Sequence, residues 1–171
     1  MTSPVIEVRT DDLAFIAADA IARPVDSELH ATTPLMRRLE AAGGDALARC
    51  LRVNEPLAVG SAVVTPAGGL GVELLIHGVV SSETEAASRA SVRQAISSAL
   101  QRAADFGIAH LAMAPFGMGA GNLDVEDSAD VSADAIRRHY TNARYPTTIT
   151  IVVESAFEQE VFARVMTGVG T

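Results

Sequence analysis

Lysine is absent from this chain of 171 residues: all 13 basic residues are arginine. The phosphate loop G-x-x-x-x-G-K-[ST] needs its lysine to reach the phosphates, so that motif is excluded. Acidic residues number 21, the formal net charge is −8, and no segment carries a basic stripe. Binding to nucleic acid by neutralising its phosphates is therefore not expected. Cys50 stands alone, which excludes an internal disulfide framework and suits a reducing compartment. No apolar run reaches the ~18 residues of a spanning helix. The opening "MTSPVIEVRTDD" has neither the basic region nor the apolar stretch of a secretory signal. A cytoplasmic protein with no membrane partner is the expectation. Aromatics make up only 4 % of a chain that is 49 % hydrophobic, so Ala, Val, Leu and Ile must build the core of one compact domain over 1–171.

What is present is an alternation of patterns. "PVIEVR" reads as a strand, "DDLAFIAADAI" as a brief turn followed by a second strand near residues 19–22, ended by Pro24. "TPLMRRLEAAGGDALARCLR" has helical spacing, broken by Gly43-Gly44 into two short helices. "SAVVTP" and "VELLIHGVV" flank "AGGLG" as a hairpin. "TEAASRASVRQAISSALQRAADFG" is a helix closed by Gly107; its small residues suit close packing and equally a homo-oligomer contact. "IAHLAMAPF" is an apolar run of the kind covered on both faces. A helix from "DVEDSADVSADAIRRHYTNA", a strand "TTITIVVE" and a helix "SAFEQEVFARVMTG" complete the chain. Strands alternating with helices, interrupted by one hairpin, predict a three-layer α/β/α domain with a mixed central sheet. "HLAMA" should be central, with "TITIVV" nearby.

The segment "LAMAPFGMGAGNLDVEDSA" joins the carboxyl end of a buried strand to a helix start that Asp124 can cap. Ligands of open α/β sheets bind beyond strand carboxyl ends. Glycine is costly to order, so Gly117, Gly119 and Gly121 on alternate positions need a reason. One is a loop whose amides, unobstructed by Cβ atoms, cradle an anion; another is a tight turn. Spacing alone leaves both open. The dinucleotide fingerprint G-x-G-x-x-G fails because Asn122 holds the third glycine's place.

Taken in order, several segments resemble the macro domain, the ADP-ribose-binding module. They are "DDLAFIAADAI", "RRLEAAGGDALARCLR", "LAVGSAVVTPAGGLGVELLIHGVV", "LAMAPFGMGAGNL" and "TITIVVESAFEQEVF", which together cover nearly the whole chain. The resemblance implies that residues Gly117, Met118, Gly119, Ala120, Gly121 and Asn122 wrap a diphosphate, that Asp12 reads an adenine beside Ile21, and that Phe157 substitutes for a stacking aromatic. It also exposes departures. Where active members carry N-A-A-N and then a glycine-rich loop, this chain reads "RPVDSELHATTPL", with Arg23 and Asp26 in place of the asparagines. Asp11 replaces the glycine before Asp12, Glu154 or Ser155 falls where an aromatic packs on adenine, and Leu123 stands where an aromatic often closes the loop.

An ionised Asp26 accepts hydrogen bonds but cannot donate them as asparagine does. The expectation is thus a degenerate macro domain that binds ADP-ribose or a related nucleotide diphosphate without turnover. No cofactor is implied. The alternatives are an ADP-ribosyl hydrolase using Asp26 as catalytic residue, and a structural or assembly domain that has lost the site. Each residue also has a plainer reading. Asp12 is a helix cap, Asp26 a solvated loop acid, Arg23 the partner of Asp26 or of another surface carboxylate. His77 is a core histidine with its ring satisfied, and Cys50 packs as a small hydrophobe. His30, His110 and His139 show no metal-ligand spacing with one another or with Cys50.

Overall fold

The computed structural model describes residues 3–119 and 122–169. Six strands, β1 (Val5–Thr10), β2 (Ala20–Asp26), β3 (Ala62–Pro66), β4 (Leu74–Ser81), β5 (His110–Met113) and β6 (Thr148–Val153), form one sheet in the order β1-β6-β5-β2-β4-β3. All neighbours are parallel except β3 and β4, which make the antiparallel hairpin at one edge. The sheet is therefore mixed, with "HLAMA" inside it and "TITIVV" beside it, as the sequence predicts.

Period-two alternation assigns each strand's side chains to two cores. Ala20, Ala22, Leu111, Met113, Ile149 and Ile151 face α2 (Arg89–Asp105), α3 (Val125–His139) and α4 (Ala156–Met166). Ile21, Leu75, Ala112 and Val152 face α1 (Pro34–Cys50) and a short 3-10 turn at Leu13–Phe15. The result is a three-layer α/β/α arrangement. No helix among the described residues is long and apolar enough to cross a membrane.

Local differences from the sequence reading have physical causes. Pro24 does not end β2, which runs on to Asp26 with Pro24 opposite Gly78 of β4. Pairing with β5 stops at Ala22↔Met113, with one more bond from the Ala114 N–H to the Ala22 carbonyl. The missing proline N–H would point to that same, already vacated side. The helix predicted from Thr84 begins only at Arg89, where Ser88 and Ser91 form a reciprocal capping box. It ends as expected: Gly107 is left-handed (φ 65°), and bonds from Gly107 to Ala104 and from Ile108 to Ala103 close a Schellman motif. One face of small residues on α2 is used internally. Ala95, Ala99 and Ala103 are buried, and Ser91 Oγ donates to the Val80 carbonyl. The predicted break in α1 is present as a kink, with Gly44 at φ 68°, ψ −164°.

Because β1, β2, β4, β5 and β6 are parallel, their carboxyl ends share one edge of the sheet. The segments leaving that edge include 11–12, 27–33, 82–88, 114–124 and 154–155. The candidate site lies among them.

Candidate ligand-binding site

The glycine segment is anchored at its root and unpaired at its crest. Phe116 is fully buried, and its ring lies so close over β4 that a Cβ on Gly78 would sit 2.6 Å from it. Ser128 Oγ donates to the Phe116 carbonyl at 2.7 Å, tying the root to α3. Gly117 (φ 89°) and Gly119 (φ 67°) are left-handed while Met118 between them is not. Such alternation turns successive N–H groups into a concave nest for an anion. Among the described residues, nothing accepts a hydrogen bond from the N–H groups of Gly117, Met118 or Gly119. The N–H groups of Asn122 and Leu123 turn back onto the Gly119 and Gly117 carbonyls instead. Ala120 and Gly121, also expected in this site, lie outside the described residues.

The loop is packed more tightly than the sequence suggests. A Cβ on Gly117 would meet Val92 and Leu123 at 2.8 Å, and one on Gly119 would meet Thr33 Cγ2 at 2.9 Å. Thr33 caps α1, so the amino end of α1 rests against the glycine segment. The start of α3 is acidic. Asp124 accepts from the Asp127 N–H, Asp127 pairs with Arg89, and Glu126 pairs with Arg164. Three acidic side chains at its amino end make α3 a poor partner for an anion.

On the β2 side the expected site residues turn inward or onto themselves. Asp26 Oδ1 accepts from the Glu28 and His30 N–H groups, each at 2.9 Å, and Oδ2 lies 3.2 Å from His30 Nδ1. The Leu29 N–H bonds to the Asp26 carbonyl with Leu29 left-handed at φ 64°, and the Ser27 N–H bonds to the Ser81 carbonyl. This tight turn stands where the resemblance implies a glycine-rich loop, and its amides are all taken. Arg23 resolves the sequence reading. It is fully buried, donating to Glu40 (2.6 Å), His77 Nδ1 (2.9 Å) and the Leu29 carbonyl (3.4 Å), so that of the two alternatives its carboxylate partner is the partly exposed Glu40 and not Asp26. Burial pulls the guanidinium pKa down, opposed by Glu40. His77 is a satisfied core histidine, as expected. Nδ1 accepts from Arg23, so Nε2 carries the proton and donates to Thr65 Oγ1 at 2.8 Å.

On the β1/β6 side a cleft of about 280 Å³ is lined by Thr10, Asp11, Asp12, Leu35, Arg38 and Glu154. Asp12 is the cap of the 3-10 turn, accepting from the Ala14 N–H at 3.0 Å, and it also borders this cleft. Arg38 and Glu154 form an ion pair across the same cleft. Arg38 was not among the sequence candidates. Its only signal is its place near the start of α1, in a chain where cations are few. Phe157 is exposed on the first turn of α4 and Ile21 is 1 % exposed in the α1-side core, so any ligand contact at Ile21 falls to its backbone. Cys50 is half-buried, with Sγ 3.3 Å from the Ala46 carbonyl. Among the described residues no group of three or more His, Cys, Asp or Glu could hold a metal ion.

A mixed α/β/α sheet whose central strand β5 runs into a glycine loop at its carboxyl end has the arrangement in which α/β proteins commonly hold ligands. The comparisons narrow the class: the model of the Macro domain matches residues 24–132, and the chain belongs to that family. An uncharacterized protein of Mycobacterium tuberculosis is 28 % identical over 134 residues, covering 78 % of this chain and 37 % of its own length. The chain thus spans little more than a third of that relative. An uncharacterized protein of Aeropyrum pernix is 30 % identical over 132 residues, covering 77 % and 70 %. Among solved structures, a mutant Oceanobacillus iheyensis macrodomain with ADPR superposes with a TM-score of 0.83 at 15 % identity, covering 95 % of this chain and 91 % of that one. A Trypanosoma brucei macrodomain in complex with ADP-ribose gives 0.78 at 14 %, covering 93 % and 68 %. These structural likenesses concern the fold.

Proposed function

We propose that this macro domain is a cytoplasmic protein that binds ADP-ribose or a related nucleotide diphosphate and does not hydrolyse it. The observation that carries the reading is the Gly117–Gly119 nest, with three successive N–H groups lacking an acceptor among the described residues. Amides so arranged bind phosphate oxygens without any cationic side chain, which reconciles anion binding with a lysine-free acidic chain. The solved macrodomains bound to ADP-ribose supply the choice of ligand. The cleft at Asp12, Arg38 and Glu154 offers hydrogen-bond acceptors and a donor to a base. Absence of turnover is supported by Asp26, the acid nearest in kind to a general base. Its oxygens hold two backbone N–H groups and His30, leaving it a structural part of its own turn.

Titration calorimetry with ADP and ADP-ribose tests the binding, and incubation with a mono-ADP-ribosylated protein tests the chemistry. Saturable binding of at least one nucleotide without release of ADP-ribose is expected. Rapid release abolished by Asp26→Ala would establish the hydrolase alternative, and no binding of either nucleotide would leave a fold without a site.

A further inference from the structure

We infer that the site is one-sided: it takes a nucleotide that ends at its diphosphate and discriminates against one that carries a second sugar beyond it. The inference rests on the diphosphate reading of the glycine loop and deepens it. The sheet order puts that loop, after β5, between two unlike flanks. Towards β6 and β1 lies the cleft of about 280 Å³ with Asp12, Arg38 and Glu154, room for a base. Towards β2 lies the Asp26 turn.

From Asp26 to His30 that turn offers a further sugar no free backbone N–H group. Hydroxyl groups placed there need donors and acceptors in place of water. The N–H groups of Glu28 and His30 already serve the Asp26 carboxylate, that of Leu29 serves the Asp26 carbonyl, and that of Ser27 serves Ser81. Arg23, the other polar side chain at the end of β2, is fully buried and spends its donors on Glu40, His77 and the Leu29 carbonyl of the turn itself. Asp26 therefore acts as an intramolecular anion held by the amides that a ligand would otherwise use. A sugar forced against the turn leaves hydroxyl groups unpaired, at a cost equivalent to about tenfold in affinity or more. A second cleft of about 330 Å³ opens among Ser27, Glu28, Leu57, Val59, Ser82 and Thr84, with none of the described residues of the glycine loop in its lining.

The test is calorimetry with ADP and ADP-ribose on the parent chain, on Asp26→Ala and on Asp26→Asn. The parent should bind ADP about tenfold more tightly than ADP-ribose. Asp26→Ala releases two amides and should narrow that ratio, whereas Asp26→Asn keeps a carbonyl acceptor for them and should narrow it less. Equal or tighter binding of ADP-ribose by the parent overturns the inference and leaves the diphosphate reading standing. Failure of the parent to bind either nucleotide overturns both. If Asp26→Ala does not fold, the parent's ratio and the Asn variant decide.

Discussion

Arg23 and His77 face each other in register on β2 and β4, and their side chains share one proton arrangement. The Arg23 Nε–H fills the His77 Nδ1 lone pair, so a second ring proton would have to point at a cation. Burial first, and Arg23 second, push the His77 pKa down to about 3 from an ordinary 6.5. The sign of the consequence follows. Below pH 6.5 the unfolded chain takes up a proton that the native one refuses. Stability tied to His77 is complete above pH 6.5 and declines as pH falls towards 3, with a limiting slope of about 1.4 kcal/mol per pH unit. His77→Gln removes this titration, although it disturbs the Arg23 contact at neutral pH. Urea unfolding at pH 7.5 and 4.5 should show a smaller loss of stability on acidification for the variant than for the parent. Equal losses would mean that His77 does not govern the acid limb.

Among the elements, α1 shows how a local conformation serves a distant site. Its first turn, capped by Thr33, abuts Gly119, while its second half packs Leu47 into the core beneath Gly68. The kink at Gly44 lets one element do both. No atom lies within 4 Å of a Cβ added at Gly44, so Gly44→Ala meets no clash and its cost is conformational alone. At φ 68°, ψ −164° that cost should be about 1–3 kcal/mol, read from chemical denaturation. An alanine variant as stable as the parent would show that the helix straightens freely. This kink was legible from the Gly43-Gly44 pair, as were the hairpin, the cap at Asp124 and the neighbours β5 and β6, because each depends on local chemistry or on hydrophobic periodicity. The destination of Arg23 was not legible. Its partners lie 17 and 54 positions away, and only the assembled sheet and helix bring a carboxylate and an imidazole to a charge inside an apolar strand. Nor could spacing show that the Asp26 turn consumes its own amides, since that depends on the left-handed φ of Leu29.

At the scale of the whole molecule, the proposed binding of a diphosphate by a chain with net charge −8 and no lysine calls for donors other than cationic side chains. Cationic side chains near the site are paired, Arg38 with Glu154 and Arg89 with Asp127. The parallel sheet instead delivers backbone donors to one edge, and the Gly117–Gly119 nest concentrates them. One paired substitution tests this most directly. Gly119→Asp and Gly119→Asn impose the same Cβ against Thr33 and the same left-handed φ, which both residues tolerate better than most, and they differ essentially in charge. With both variants shown to be folded, calorimetry with ADP should find the Asp variant about tenfold weaker than the Asn variant at low salt, the gap closing as salt rises. Equal affinity of the two variants for ADP would contradict the account, because an anion held by the Gly119 amide could not be indifferent to a carboxylate beside it.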